Sequence, residues 1–169
     1  MSQSRSESKE SPKAGLAKLS ELVLAGKLAD IKNLVADAKA SKGWQWHWSD
    51  EKYVECAMRD AILSGQIEVL RLFLAEGMSG DAWAYEKENH GSIKKLIAFA
   101  SQKGDLATVE LLVEHHADIK PRNEYYKRGD DSGMRAAIEF GHAHIVDFLL
   151  ANGASADGVF RGLVWRGGR

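Results

Sequence analysis

Cysteine is almost missing from this chain: Cys56 is the only one. One thiol cannot close an internal disulfide, nor supply the paired cysteines of a structural zinc site. It fits a reducing compartment, so the cytoplasm, or alternatively the nucleus, is the expected location. Proline is limited to Pro12 and Pro121, which leaves long stretches free to be helical. No apolar run approaches the roughly 18–20 residues of a membrane-spanning helix, so no membrane partner is expected. The polar opening MSQSRSESKESPKAG also lacks the apolar centre of a secretory signal. Charge of one sign is lacking too. The 23 Lys and Arg stand against 24 Asp and Glu, a net of −1, so no broad basic field would draw nucleic acid. The motifs G-x-G-x-x-G, G-K-[ST], G-x-S-x-G and H-E-x-x-H are all absent, and with them the usual signs of cofactor, nucleotide, nucleophile and metal chemistry. The expectation is no cofactor, no metal and no catalysis.

What the chain does have is a repeat. The stretch Gly104–Ala117, GDLATVELLVEHHA, opens on a turn glycine and then places Leu106, Val109, Leu112 and Val113 at helical spacing. Gly26, Gly65 and Gly141 each precede a similar stretch. The four glycines are spaced 39, 39 and 37 residues apart. Seven residues before them stand Leu19, Met58, Ile97 and Met134; four before, Leu22, Ala61, Ala100 and Ala137. Five after stand Ile31, Leu70, Val109 and Val146; eight after, Leu34, Phe73, Leu112 and Leu149. All sixteen are apolar, so each glycine joins two helices that bury one shared register. The readings are helices over about 12–25 and 28–40, from Ser49 or Asp50 to Ser64, and from Gly91 or Ser92 with Ile93, Leu96, Ile97 and Ala100 inward. A last pair opens at Asp131 or Ser132 and turns inward Ile145, Val146, Leu149 and Leu150. One unit cannot bury its own apolar face, so stacking against neighbours must do it.

These units resemble ankyrin repeats. The fourth carries Ala136-Ala137, Gly141-His142, Ile145-Val146-Asp147-Phe148-Leu149-Leu150 and Asn152-Gly153-Ala154-Ser155, similar to the family's A-A-x-x-G-H-x-x-V-V-x-x-L-L-x-x-G-A-D. The third keeps Gly104-Asp105-Leu106, Val109 to Val113 and Ala117-Asp118, and the second keeps Gly65 to Leu70 and Glu76-Gly77. Two departures stand out. The tetrapeptide T-P-L-H is in no unit, and the period exceeds the family's roughly 33 residues. The resemblance implies an all-α, ankyrin-like solenoid of four helix pairs, with the extra length in long, aromatic-rich finger loops. It also implies binding of a macromolecule rather than catalysis. The chain then divides into a disordered segment 1–11, a repeat domain 12–158 (units about 12–48, 49–90, 91–131 and 132–158) and a cap or tail 159–169.

The fingers carry the candidate site. Trp44, Trp46, His47 and Trp48 lie in the first, Trp83 and Tyr85 in the second, Tyr125 and Tyr126 in the third. Trp44 and Trp83 both follow their turn glycine by 18 residues, and Trp46 and Tyr85 by 20, so the aromatics recur at equivalent points. Two readings stay open: the rings cover the helix ends as a second small core, or they anchor a binding groove. The functional reading is a non-catalytic protein-interaction module. Its contact residues are Trp44, Trp46, Trp48, Trp83, Tyr85, Tyr125 and Tyr126, with Arg59 and Arg135 as polar company where the family's tetrapeptide has its histidine. The alternative is a small apolar ligand, bound or isomerised between fingers, with His47, Tyr85 and Asp50 as an acid–base group. His142 and His144 stand two apart near a helix start and make a poor chelate. The tail Val159–Arg169 comes where a fifth unit would begin. Phe160, Leu163, Val164 and Trp165 are expected either to pack on the last helix pair or to form a recognition peptide.

Overall fold

The computed structural model describes residues 18–40, 48–85, 93–120 and 133–155. Among them are eight helices: α1 (Leu19–Leu24), α2 (Leu28–Ala40), α3 (Trp48–Ser64), α4 (Ile67–Ala75), α5 (Leu96–Lys103), α6 (Leu106–Glu114), α7 (Gly133–Glu139) and α8 (Ala143–Ala151). Two short strands, β1 (Trp83–Tyr85) and β2 (Ile93–Lys95), pair antiparallel between α4 and α5. No helix of the described residues is long and apolar enough to cross a membrane.

The helices come in pairs, α1/α2, α3/α4, α5/α6 and α7/α8, each joined through one of the four spaced glycines. The joint is the same every time. The glycine N–H returns to the carbonyl three residues back, and the next N–H returns five back: Gly26 to Val23 and Lys27 to Leu22, then Gly65 to Ile62 and Gln66 to Ala61. Gly104 to Ser101 and Asp105 to Ala100 repeat it, as do Gly141 to Ile138 and His142 to Ala137. This is the Schellman closure, which needs a left-handed residue at its centre. The four glycines supply it, with φ between +69° and +80°.

A second closure follows twelve residues later. Gly77, His116 and Gly153 each bond back three residues, and Met78, Ala117 and Ala154 bond back five. Gly77 and Gly153 have φ of +92° and +87°, while His116 holds +67° without the freedom of glycine. In the first unit the equivalent residue, Ala38, stays inside the longer α2.

The first helices pack in a row, α1 on α3, α3 on α5, α5 on α7, and α4 and α8 lie against α2 and α6 respectively. The shared register is the register of the core. Thirteen of the sixteen aligned side chains are at most 1% exposed, and Leu22, Leu34 and Val146 pack half-buried against the rest. Burying so many aliphatic and aromatic groups, each contributing about 1.5–3 kcal/mol, is what holds the row together.

Three expectations need correction. The fold is mostly helical rather than all-α, because part of the second finger is a β-hairpin. Trp83, Ala84 and Tyr85 alternate half-buried, buried and exposed, a two-residue period that suits a strand. Ile93 matched the helical spacing of Leu96, Ile97 and Ala100, yet it stands in β2 and is 45% exposed. Its strand pairs with β1, and Lys95 is still extended (φ −64°, ψ 146°) where the Leu96 N–H bonds the Ala82 carbonyl at 3.0 Å. Leu150, expected inward, is 45% exposed, since no described helix lies beyond α8 to cover it. The expected starts at Pro12 and at Asp131 or Ser132 lie outside the described residues, as do the segments 1–11 and 159–169.

A candidate interaction site on the β-hairpin

Two of the predicted contact residues, Trp83 and Tyr85, fall on β1. Its register against β2 sets Trp83 opposite Lys95, Ala84 opposite Lys94 and Tyr85 opposite Ile93. Alternation then sorts the side chains. Trp83, Tyr85, Ile93 and Lys95 share one face, and Ala84 and Lys94 the other. Ala84 is 1% exposed in the strand that packs on α3. On the shared face the Trp83–Lys95 end is closed and the Tyr85–Ile93 end is open, with Tyr85 53% and Ile93 45% exposed. Directly opposed side chains in an antiparallel pair have Cβ atoms about 5 Å apart, so the phenol and the Ile93 side chain form one apolar patch.

The hairpin is fastened at three points. Arg59 on α3, 2% exposed, donates through Nη1 to the Tyr85 carbonyl. The same guanidinium pairs with the neighbouring Asp60, Nε at 2.9 Å and Nη2 at 2.5 Å from Oδ1. Lys95, 8% exposed, sets Nζ 2.6 Å from Asp81 Oδ1 and 3.6 Å from Asp118 Oδ2, and 5.6 Å from the Trp83 ring centroid. Asp81 Oδ1 also accepts the Asp118 N–H at 2.9 Å, so one carboxylate ties β2 to the loop after α6. Third, the Gly80 N–H donates to the His115 carbonyl at 3.2 Å. A Cβ on Gly80 would lie 2.6 Å from that oxygen and 2.7 Å from the Leu112 carbonyl oxygen, so only glycine allows this approach.

The remaining predicted residues separate into three groups. Trp44, Trp46, His47, Tyr125 and Tyr126 lie outside the described residues. Trp48 and Asp50 belong to the first turn of α3. Arg59 and Arg135 both stand six residues before their turn glycines, on α3 and α7. Arg59 is buried and holds the hairpin, so it offers no charge to an incoming partner; Arg135 is half-buried. Reading from sequence missed Lys95 and Ile93. The signal for Ile93 was the apolar pair it makes with Tyr85 across the strands, masked by a coincidence with helical spacing. For Lys95 there was no signal, since a lysine in a finger reads as solvated.

An open groove of about 260 Å³ lies between α7 and α8. Among the described residues no group of three His, Cys, Asp or Glu side chains is placed to hold a metal ion. No protein-family model matches the chain, and no curated protein matches it either.

Proposed function

We propose that this chain is a non-catalytic protein-interaction module of ankyrin-like build, a stack of four helix pairs that presents its second finger to a partner. The stack reading is supported by seven closures of one kind at matched positions and by the row of first helices. The observation that carries the functional reading is the open Tyr85–Ile93 pair on a hairpin anchored by Arg59, Lys95 and Gly80. A rigid aromatic beside an aliphatic side chain, already fixed in place, desolvates much area for little lost entropy. The partner this suits is a protein that brings an apolar side chain into the patch. Half exposure of Tyr85 on an outer face favours a surface contact over the enclosed small-ligand alternative.

The test is a photo-reactive residue in place of Tyr85 in the full chain, with the same group at Leu63, which is 50% exposed on α3, as control. The reading expects a discrete cross-linked protein from position 85 that Ile93→Ser abolishes while the circular dichroism stays unchanged. Equal labelling from both positions, or capture indifferent to Ile93→Ser, would sink it.

A further inference from the structure

The last helix pair leaves an apolar face open. Ile138 and Val146 are half-buried, whereas their counterparts in the earlier units are buried: Val23 and Ile62 for the first, Ile31, Leu70 and Val109 for the second. In those units the following pair supplies the cover. Beside α8 the open groove of about 260 Å³ is lined by Ala137, Ile138, Gly141, Ala143 and Val146, with Asp147 at its side. Leu150, whose counterparts Val35 and Leu74 are buried, adds exposed apolar area at 45%.

We propose that residues 156–165 cap this face, repeating along α7 the path β1 takes along α3. Three independent features support that occupant. The first is sequence register. Gly77 and Gly153 are equivalent closure residues, and from them GMSGDAWAY and GASADGVFR align without a gap. Ser79 matches Ser155, Asp81 matches Asp157, small residues match at two more places, and the buried Ala84 is matched by Phe160. Gly80, where the next unit forces a glycine, is matched by Ala156. Alanine is acceptable there if no further unit approaches.

The second is the anchor. Arg135 occupies on α7 the place of Arg59 on α3, and Arg59 donates to the carbonyl of Tyr85. The residue equivalent to Tyr85 is Arg161, and a cap on the path of β1 would offer its carbonyl to Arg135. The third is reach and charge. From Arg135 to Gly141 the helix rises about 9 Å. Residues 161–165, extended, would span about 13 Å, enough to bring Leu163, Val164 and Trp165 over the groove. Arg166 then stands near Asp147, opposite in charge.

The test compares the full chain with Phe160→Ser/Trp165→Ser by hydrogen exchange. The cap predicts at least about tenfold faster exchange in α7 and α8, with α1–α4 unchanged. Equal exchange in the last pair would overturn it. A second measurement stands if that variant unfolds. In a Cys56→Ser background, Val146→Cys/Trp165→Cys should close a disulfide within one chain on mild oxidation, and Leu63→Cys/Trp165→Cys should not. A disulfide formed between two chains would show that a second copy covers the face, and would refute the cap, as would equal reaction of both pairs.

Discussion

His116→Gly should stabilise this protein. Of the seven such closures among the described residues, six have glycine at the left-handed position and one has His116, at φ +67°. An L-residue with a Cβ loses about 1–2 kcal/mol in that region, because Cβ crowds the following carbonyl oxygen. Glycine removes that cost but returns part of it through a freer unfolded chain, about 0.5–1 kcal/mol. The net gain is about 0.5–1 kcal/mol. Little else changes. His116 is exposed, and its main-chain bond to Val113, at 3.0 Å, survives the substitution, as does the bond from Ala117 to Leu112 at 2.9 Å. In a chain of this size the gain corresponds to a rise in Tm of about 1–4 °C. Urea titrations of the two proteins, with m-values compared, read it directly. Equal or lower stability in the glycine variant would mean that the imidazole makes a stabilising contact outweighing the strain, and would refute the backbone reasoning. Gly26→Ala is the mirror control. A Cβ at Gly26 meets nothing within 4 Å, so its loss, about 1 kcal/mol, comes from φ alone.

The hairpin anchors give two further outcomes. Arg59→Ala takes from Asp60, 5% exposed, the guanidinium that faces it, and should cost about 3–5 kcal/mol in urea unfolding. Amide exchange at Trp83–Tyr85 should rise beyond that global change, because the Tyr85 carbonyl loses its donor. An Arg59→Ala protein of wild-type stability would show that the buried pair is replaceable by water. Gly80→Ala places a methyl group 2.6 Å from a carbonyl oxygen, so the loop after α4 must separate from the end of α6. A loss of about 2–3 kcal/mol is expected, with the chain still helical by circular dichroism, and a change below about 0.5 kcal/mol would show that the loop moves aside freely.

The helix pairs were legible in the sequence because two local rules coincide at each joint. Glycine is the residue that closes a helix at positive φ, and apolar residues at fixed offsets from it choose which face is buried. Met58 and Phe73 are far apart in the chain, yet both were placed inward by counting from Gly65. The hairpin was not legible, for a physical reason. Three residues per strand are too few to show a period of two, and Ile93, Leu96, Ile97 and Ala100 satisfy a helical one. What decides the matter is non-local. Ile93 pairs with Tyr85, and the Ala82 carbonyl takes the Leu96 N–H before the helix begins. Nor could spacing show that Arg59 faces inward. Arginine is rarely buried, and its partner, Asp60, is its own neighbour in sequence, a pair that a helix normally points to different sides.

The joints between helix pairs carry a further trade. Each unit after the first sends at least one side chain back to the end of the preceding first helix, where carbonyls have left the i→i+4 ladder. Gln66 Nε2 reaches the Val23 carbonyl, Lys103 Nζ the Ile62 carbonyl at 2.9 Å, and His142 Nε2 lies 3.0 Å from the Gln102 oxygen. Gln66 and His142 stand at the N-caps of α4 and α8, and neither caps its own helix. In the third unit the work is divided. Lys103 reaches back, and Asp105 is free to cap α6, accepting the Thr108 N–H at 3.1 Å and its hydroxyl at 2.8 Å. A local cap worth about 1 kcal/mol is thus given up in two units for a bond between units. The turn glycine serves both ends. A Cβ at Gly104 would strike the His142 ring at 2.7 Å, so the residue that closes one helix also leaves room for the next unit's side chain. Each of these joints therefore ties two neighbouring pairs through one glycine and a returning side chain, so a substitution there touches both pairs.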